Sequence, residues 1–98
     1  MSRMIDPHTA LGSALSRLSG GHLVESEATR WSSATFSGSR HRYIFALRSP
    51  SEKCVLDGIS GREFILPGHL VADVALTART IEGDQRRFTI EALTIEDR

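Results

Sequence analysis

Side chains able to do chemistry are scattered along this chain of 98 residues. Its four histidines, His8, His22, His41 and His69, and its single cysteine, Cys54, stand far apart. None falls in the HxxxH, HxH or CxxC spacings that bring two ligands together locally, so neither a metal nor a cofactor is assigned. There is no GxSxG, HExxH, P-loop or GxGxxG, and the serines read as turn and cap residues, where the hydroxyl is ordinarily structural. No catalytic residue follows from these patterns. Glu25 and Glu27 alternate onto one strand face as acid/base carboxylates would, yet exposed acids on a strand more often protect an edge. His69 and Asp73 would meet one turn apart on a helix; on a strand they stand ~13 Å apart, too far for a hydrogen-bonded dyad.

The densest cluster of reactive types is Ser39-Arg40-His41-Arg42-Tyr43, directly behind Gly38. Glycine at the first central position of a two-residue turn suits a type II′ hairpin, which predicts a tip at Gly38 and Ser39. Counting outward sets Phe36 opposite His41, Thr35 opposite Arg42, Ser33 opposite Ile44 and Trp31 opposite Ala46. Alternation then sends His41, Tyr43, Phe45 and Leu47 to one face and Arg40, Arg42, Ile44, Ala46 and Arg48 to the other. The arginines and the histidine are therefore not one patch, and His41 is expected at the rim of the core.

The elements that carry these residues are an N-terminal helix and a set of strands. Asp6 as N-cap, Pro7 at the first helical position and the Gly20-Gly21 pair bound a helix whose Leu11, Leu15 and Leu18 form one apolar stripe. Beyond Gly21 the composition turns β-branched and aromatic, broken by Gly, Pro, Asp and Ser, which predicts mainly antiparallel strands. Leu70, Ala72, Val74, Leu76 and Ala78 alternate, so residues 69–79 read as a strand although a helix is tolerated. With 80–96 they form a second hairpin, for which apolar matching favours a three-residue loop, Gly83 to Gln85, or a five-residue loop in the same register, either of which sets Leu76 opposite Ala92. Between the hairpins, short strands at Cys54 to Leu56 and Glu63 to Leu66 are expected, with a short helical turn as the alternative.

These elements predict one α+β domain over 1–98, an N-terminal helix packed on a curved antiparallel sheet of about four main strands, with 1–5 as a disordered tail. The order helix, hairpin, irregular segment, hairpin resembles the arrangement of cystatin-like folds, in which an N-terminal helix lies across such a sheet. The resemblance is one of topology and implies no functional residue.

Lys+Arg and Asp+Glu are both 12, so no global attraction to nucleic acid or acidic lipid follows. No apolar run approaches the ~20 residues of a membrane span, and a lone cysteine without a secretory signal points to a cytoplasmic setting. One helix cannot cover both faces of the sheet. The face opposite the helix carries Trp31, Arg42, Ile44 and Arg48, and contiguous exposed apolar surface with Trp and Arg usually marks an interface. The leading expectation is a non-catalytic interaction module that uses this face for a homodimer or a protein partner, unless residues 49–68 fold over it. A small-molecule protein with a cleft lined by Trp31, Tyr43 and arginines, suited to an anionic aromatic or acyl ligand, is the alternative. Nucleic-acid binding ranks last.

Overall fold

The computed structural model describes residues 6–47 and 55–96, with side-chain surroundings left out at 55–57. The expected tail at 1–5, Arg48 and Cys54 lie outside the described residues. Helix α1 spans Pro7–Ser19, capped by the Asp6 carboxylate, which accepts from the His8 N–H at 3.1 Å, and closed by Gly20 in the left-handed region. Four antiparallel strands follow: β1 (His22–Ser32), β2 (Ser37–Leu47), β3 (His69–Glu82) and β4 (Gln85–Glu96), in the order β1-β2-β4-β3. A 3-10 segment, Val55–Gly61, kinked at Gly58, precedes β3, so the short strand expected at Cys54 to Leu56 does not form over its described part. Leu66 makes only an isolated bridge to His69.

The fold is thus α+β, one helix on a four-stranded antiparallel sheet. Leu11 and Leu15 of α1 are buried against Tyr43 and Phe45 of β2, Val74 of β3, and Phe88 and Ile90 of β4. Ile59 and Leu66 join the same core, so the described part of the middle segment lies on the helix side of the sheet. Ile59, Phe64 and Leu66 of this segment are thus directed to the helix side, while residues 48–54 lie outside the described residues.

Both hairpin tips differ from expectation. The first turns at 33–36, with Ser32 opposite Ser37, Trp31 opposite Gly38, Glu27 opposite Arg42 and Glu25 opposite Ile44. Ser33 organises this loop: its Oγ accepts from the Phe36 N–H at 3.1 Å, and its own N–H donates to the Phe36 carbonyl at 2.7 Å. Gly38 is glycine for another reason. A Cβ there would lie 1.9 Å from the Thr94 carbonyl oxygen, so its bareness lets β2 approach β4, and its φ is not positive as a type II′ turn would need. The register moved by an even number of residues, so Trp31, Arg42, Ile44, His41 and Tyr43 kept their expected faces, whereas residues 33–36 left the strand and an irregularity between Leu23 and Glu25 shifts the start of β1.

The second hairpin has a two-residue loop, Gly83 and Asp84, with positive φ at Gly83 alone, as in a type II′ turn. Two irregularities, between Leu76 and Ala78 and between Val71 and Asp73, then shift the register. They set Leu76 opposite Ile90 and Val74 opposite Ala92, restoring the apolar match that a longer loop was expected to supply. They also break the strict alternation of β3, turning Val71 onto the core and leaving Leu70 54% exposed.

Candidate functional site

The first turn of α1 and the inner face of β2 bring together residues that are distant in sequence. Asp6 accepts from the Thr9 hydroxyl at 2.7 Å as well as from the His8 N–H, which fixes His8 at the second helical position above the sheet. The Thr9 hydrogen bond holds the Asp6 carboxyl below its ordinary range. Beneath it, His41 and Tyr43 project to the same face because they are two apart on a strand.

His8 Nδ1 and His41 Nδ1 are 2.9 Å apart, with the rings 10° from parallel. Their centroids are 5.2 Å apart, so the contact is an edge-to-edge hydrogen bond. The Tyr43 ring stacks on His8 at 4.6 Å, and its hydroxyl donates to the His8 carbonyl at 2.7 Å. The far nitrogens are also engaged: His8 Nε2 lies 3.0 Å from Ser26 Oγ on β1, and His41 Nε2 lies 2.8 Å from Thr94 Oγ1 on β4.

Burial sets the protonation of this cluster. Desolvation, aided by the nearby His8, pushes His41 down to about 4, and burial also lowers His8 against the opposing pull of Asp6. Both imidazoles are neutral at pH 7. Burial raises the Tyr43 hydroxyl, which stays protonated and available as a donor.

Two cavities adjoin the cluster. One, of about 310 Å³, runs between α1 and β1 and is lined by His8, Ser13, Ser16, Leu23, Ser26 and Tyr43. The other, of about 330 Å³, sits at the end of the sheet among Asp6, His8, Arg30, His69, Thr94 and Glu96. Arg30 donates to Glu96 across it at 2.7 Å, and that hydrogen bond lowers the Glu96 carboxyl. His69 is buried there, and its Nδ1 has no hydrogen-bond partner among the described residues. No three His, Cys, Asp or Glu side chains among the described residues are arranged to hold a metal ion.

The residues singled out from the sequence lie on the other face. Trp31, Arg42 and Ile44 project from it, half-buried, alongside Leu93 and Ile95 of β4; Arg48 is outside the described residues. Arg42 is held by its own sheet, 3.6 Å from Glu27 and 4.0 Å from Glu25, which accounts for the paired acids of β1. Trp31 and Tyr43 stand on opposite faces, so the cleft expected to contain both does not form. His41 is 2% exposed, inside the core rather than at its rim.

The inner cluster could not be read from spacing, because its hydrogen bonds join residues 33, 18 and 53 positions apart. Ser26 is the clearest miss: it lies within a strand, not in a turn or cap. The available signal was parity, since Ser26 and Ala28 alternate against Glu25 and Glu27 and so face inward. No helix among the described residues is long and apolar enough to cross a membrane. No protein-family model matches the chain, and neither curated proteins nor solved structures show a match to it.

Proposed function

We propose that this protein is a small interaction module whose helix-free sheet face binds a second copy of the same chain. The observation that carries this reading is the one-sidedness of the fold. α1 and Ile59 of the 3-10 segment cover the inner face, while Trp31, Ile44, Leu93 and Ile95 keep partial exposure on the outer one.

Size and charge favour a like partner. An 11-residue strand extends ~36 Å, and four strands span ~19 Å, giving ~700 Å² of projected face, close to the ~800 Å² each partner contributes to a standard interface. The chain has no net charge, so no overall repulsion opposes the association of two copies, and Arg42 stands beside Glu27 and Glu25 on its own sheet. Trp31 supplies a large aromatic side chain at one end of the face, its indole nitrogen buried and without an acceptor among the described residues. A reducing cytoplasm suits a chain with one cysteine.

Light scattering coupled to size exclusion over a wide concentration range tests the assembly. The expected result is a dimer for the parent chain and a monomer for Trp31→Asp, with the circular dichroism spectrum of the variant retained and its unfolding still cooperative, at a midpoint lowered by the loss of association. A parent chain that is monomeric at the highest concentration, or a Trp31→Asp variant that stays dimeric, overturns the proposal.

A further inference from the structure

The groove on the inner side, between α1 and β1, lies across the sheet from the outer face and is lined by His8, Ser26 and Tyr43. The hydrogen bonds through the two histidines can be followed from the buried end outward. Thr94 is fully buried, and its hydroxyl has the Ser39 carbonyl as an acceptor at 3.5 Å. In one of the two tautomer assignments that these distances allow, Thr94 donates there and accepts from His41, so that His41 Nε2 bears the proton. His41 Nδ1 is then the bare nitrogen, and it accepts from His8 Nδ1–H at 2.9 Å. His8 Nε2 is left with its lone pair directed at Ser26 Oγ, 3.0 Å away.

This arrangement is the one general-base activation of a hydroxyl requires: nucleophile and base within hydrogen-bond reach, and the base fixed in the correct tautomer by a third group. The Tyr43 ring stacked on His8, and the Tyr43 hydroxyl bonded to the His8 carbonyl, hold the base rigidly. Ser26 is exposed on an edge strand and lines the groove with Leu23, Ser13 and Ser16. The groove's 310 Å³ is the size of a small ligand site.

We propose that Ser26 and His8 are the nucleophile and general base of an acyl-transfer site that takes small carboxylic esters, with His41 as a positioning residue. Ser26 Oγ attacks the ester carbonyl carbon while its proton passes to His8 Nε2. The bond from carbon to the leaving oxygen breaks, and that oxygen takes the proton from His8 and departs as the alcohol. Water then attacks acyl-Ser26, His8 takes a proton from the water and returns one to Ser26 Oγ, and the carboxylic acid leaves. The groups facing the base are Asp6 from its own helix, His41 and Tyr43 from β2 and Ser26 from β1, while His69 of β3 acts on His41. Neutral His8 is the reactive form, and its lowered pKa keeps it neutral at pH 7.

An alkyl fluorophosphonate is the first probe, because fluoride leaves readily as Ser26 Oγ bonds to phosphorus. Mass spectrometry of the parent protein should locate one phosphonyl group on Ser26, absent from Ser26→Ala, and p-nitrophenyl acetate should be turned over with the same dependence. His8→Ala, checked for folding by circular dichroism, should slow labelling about a hundredfold or more. His41→Leu should slow it comparably, whereas His41→Gln, whose amide oxygen can accept from His8 Nδ1–H, should restore most of the rate. No label on the parent protein, a label at another residue, or unchanged labelling of His8→Ala overturns the site. Equal rates for His41→Leu and the parent chain overturn the positioning role. Ser26→Ala alters only an exposed side chain and keeps the test decisive if a histidine variant fails to fold.

Discussion

The two faces of the sheet share the same strands but use polar residues in opposite ways. On the inner face Ser39, His41, His69 and Thr94 are buried; His41 and Thr94 are tied to named partners, while His69 Nδ1 has none among the described residues. On the outer face Arg42, Glu25 and Glu27 stay in water and pair loosely at 3.6 to 4.0 Å. A buried polar group must be satisfied or it costs stability, whereas an exposed pair contributes little either way. Change on the inner face is therefore expected to cost more stability than change among the exposed pairs of the outer face.

The largest difference between the faces should appear on truncating apolar residues. Phe45→Ala removes a fully buried ring from the inner face and should cost about 3–5 kcal/mol by urea unfolding. Ile44→Ala, its neighbour on the outer face, should cost less, about 1–2 kcal/mol in the monomer, because the side chain is only partly buried. Equal costs would mean that the outer face is covered. Gly38→Ala probes the backbone between the faces: with Thr94 O at 1.9 Å from the added Cβ, β2 and β4 must part, costing about 3 kcal/mol or more.

Acid should weaken the inner face selectively. Unfolded His41 titrates near 6.5 and folded His41 near 4, so between these values the unfolded chain binds more protons. The contribution to stability is whole above about pH 6.5 and is lost as the pH falls toward 4. His8, also lowered, acts in the same direction, while Asp6 and Glu96, held below the ordinary carboxylate range, add their loss at lower pH. Urea midpoints measured from pH 8 to 4 should show this decline, and His41→Gln should flatten it. An equally steep decline in that variant would place its origin elsewhere.

What could be read from the sequence was local or governed by parity. The helix bounds followed from Asp6, Pro7 and Gly20 because caps act within a few residues. The faces of Trp31, Arg42, Ile44 and Tyr43 were legible although the first register was not, since an even shift preserves side-chain direction. Gly38 misled because its reason lies in Thr94, on another strand. The loop of the second hairpin misled because irregularities within β3 corrected an apolar mismatch that appeared to demand a longer turn. The cluster of His8, Ser26, His41 and Thr94 was beyond reach for the same cause: three strands and a helix converge on it, and no two of its members are neighbours.

The smallest effect separates the role of Arg42 from that of Trp31. Arg42 is 42% exposed and is already paired with Glu25 and Glu27, so Arg42→Gln should change the unfolding free energy by no more than about 0.5 kcal/mol. If the outer face is a dimer surface centred on its apolar residues, the same substitution should alter the dimer dissociation constant by less than about threefold, because a rim charge held by its own sheet has little left for a partner. Sedimentation equilibrium of the two variants side by side makes the comparison. Loss of assembly in Arg42→Gln as complete as in Trp31→Asp would mean that the arginine leaves its glutamates on association. The interface would then be built on charge exchange between copies rather than on burial of Trp31, Ile44 and Leu93.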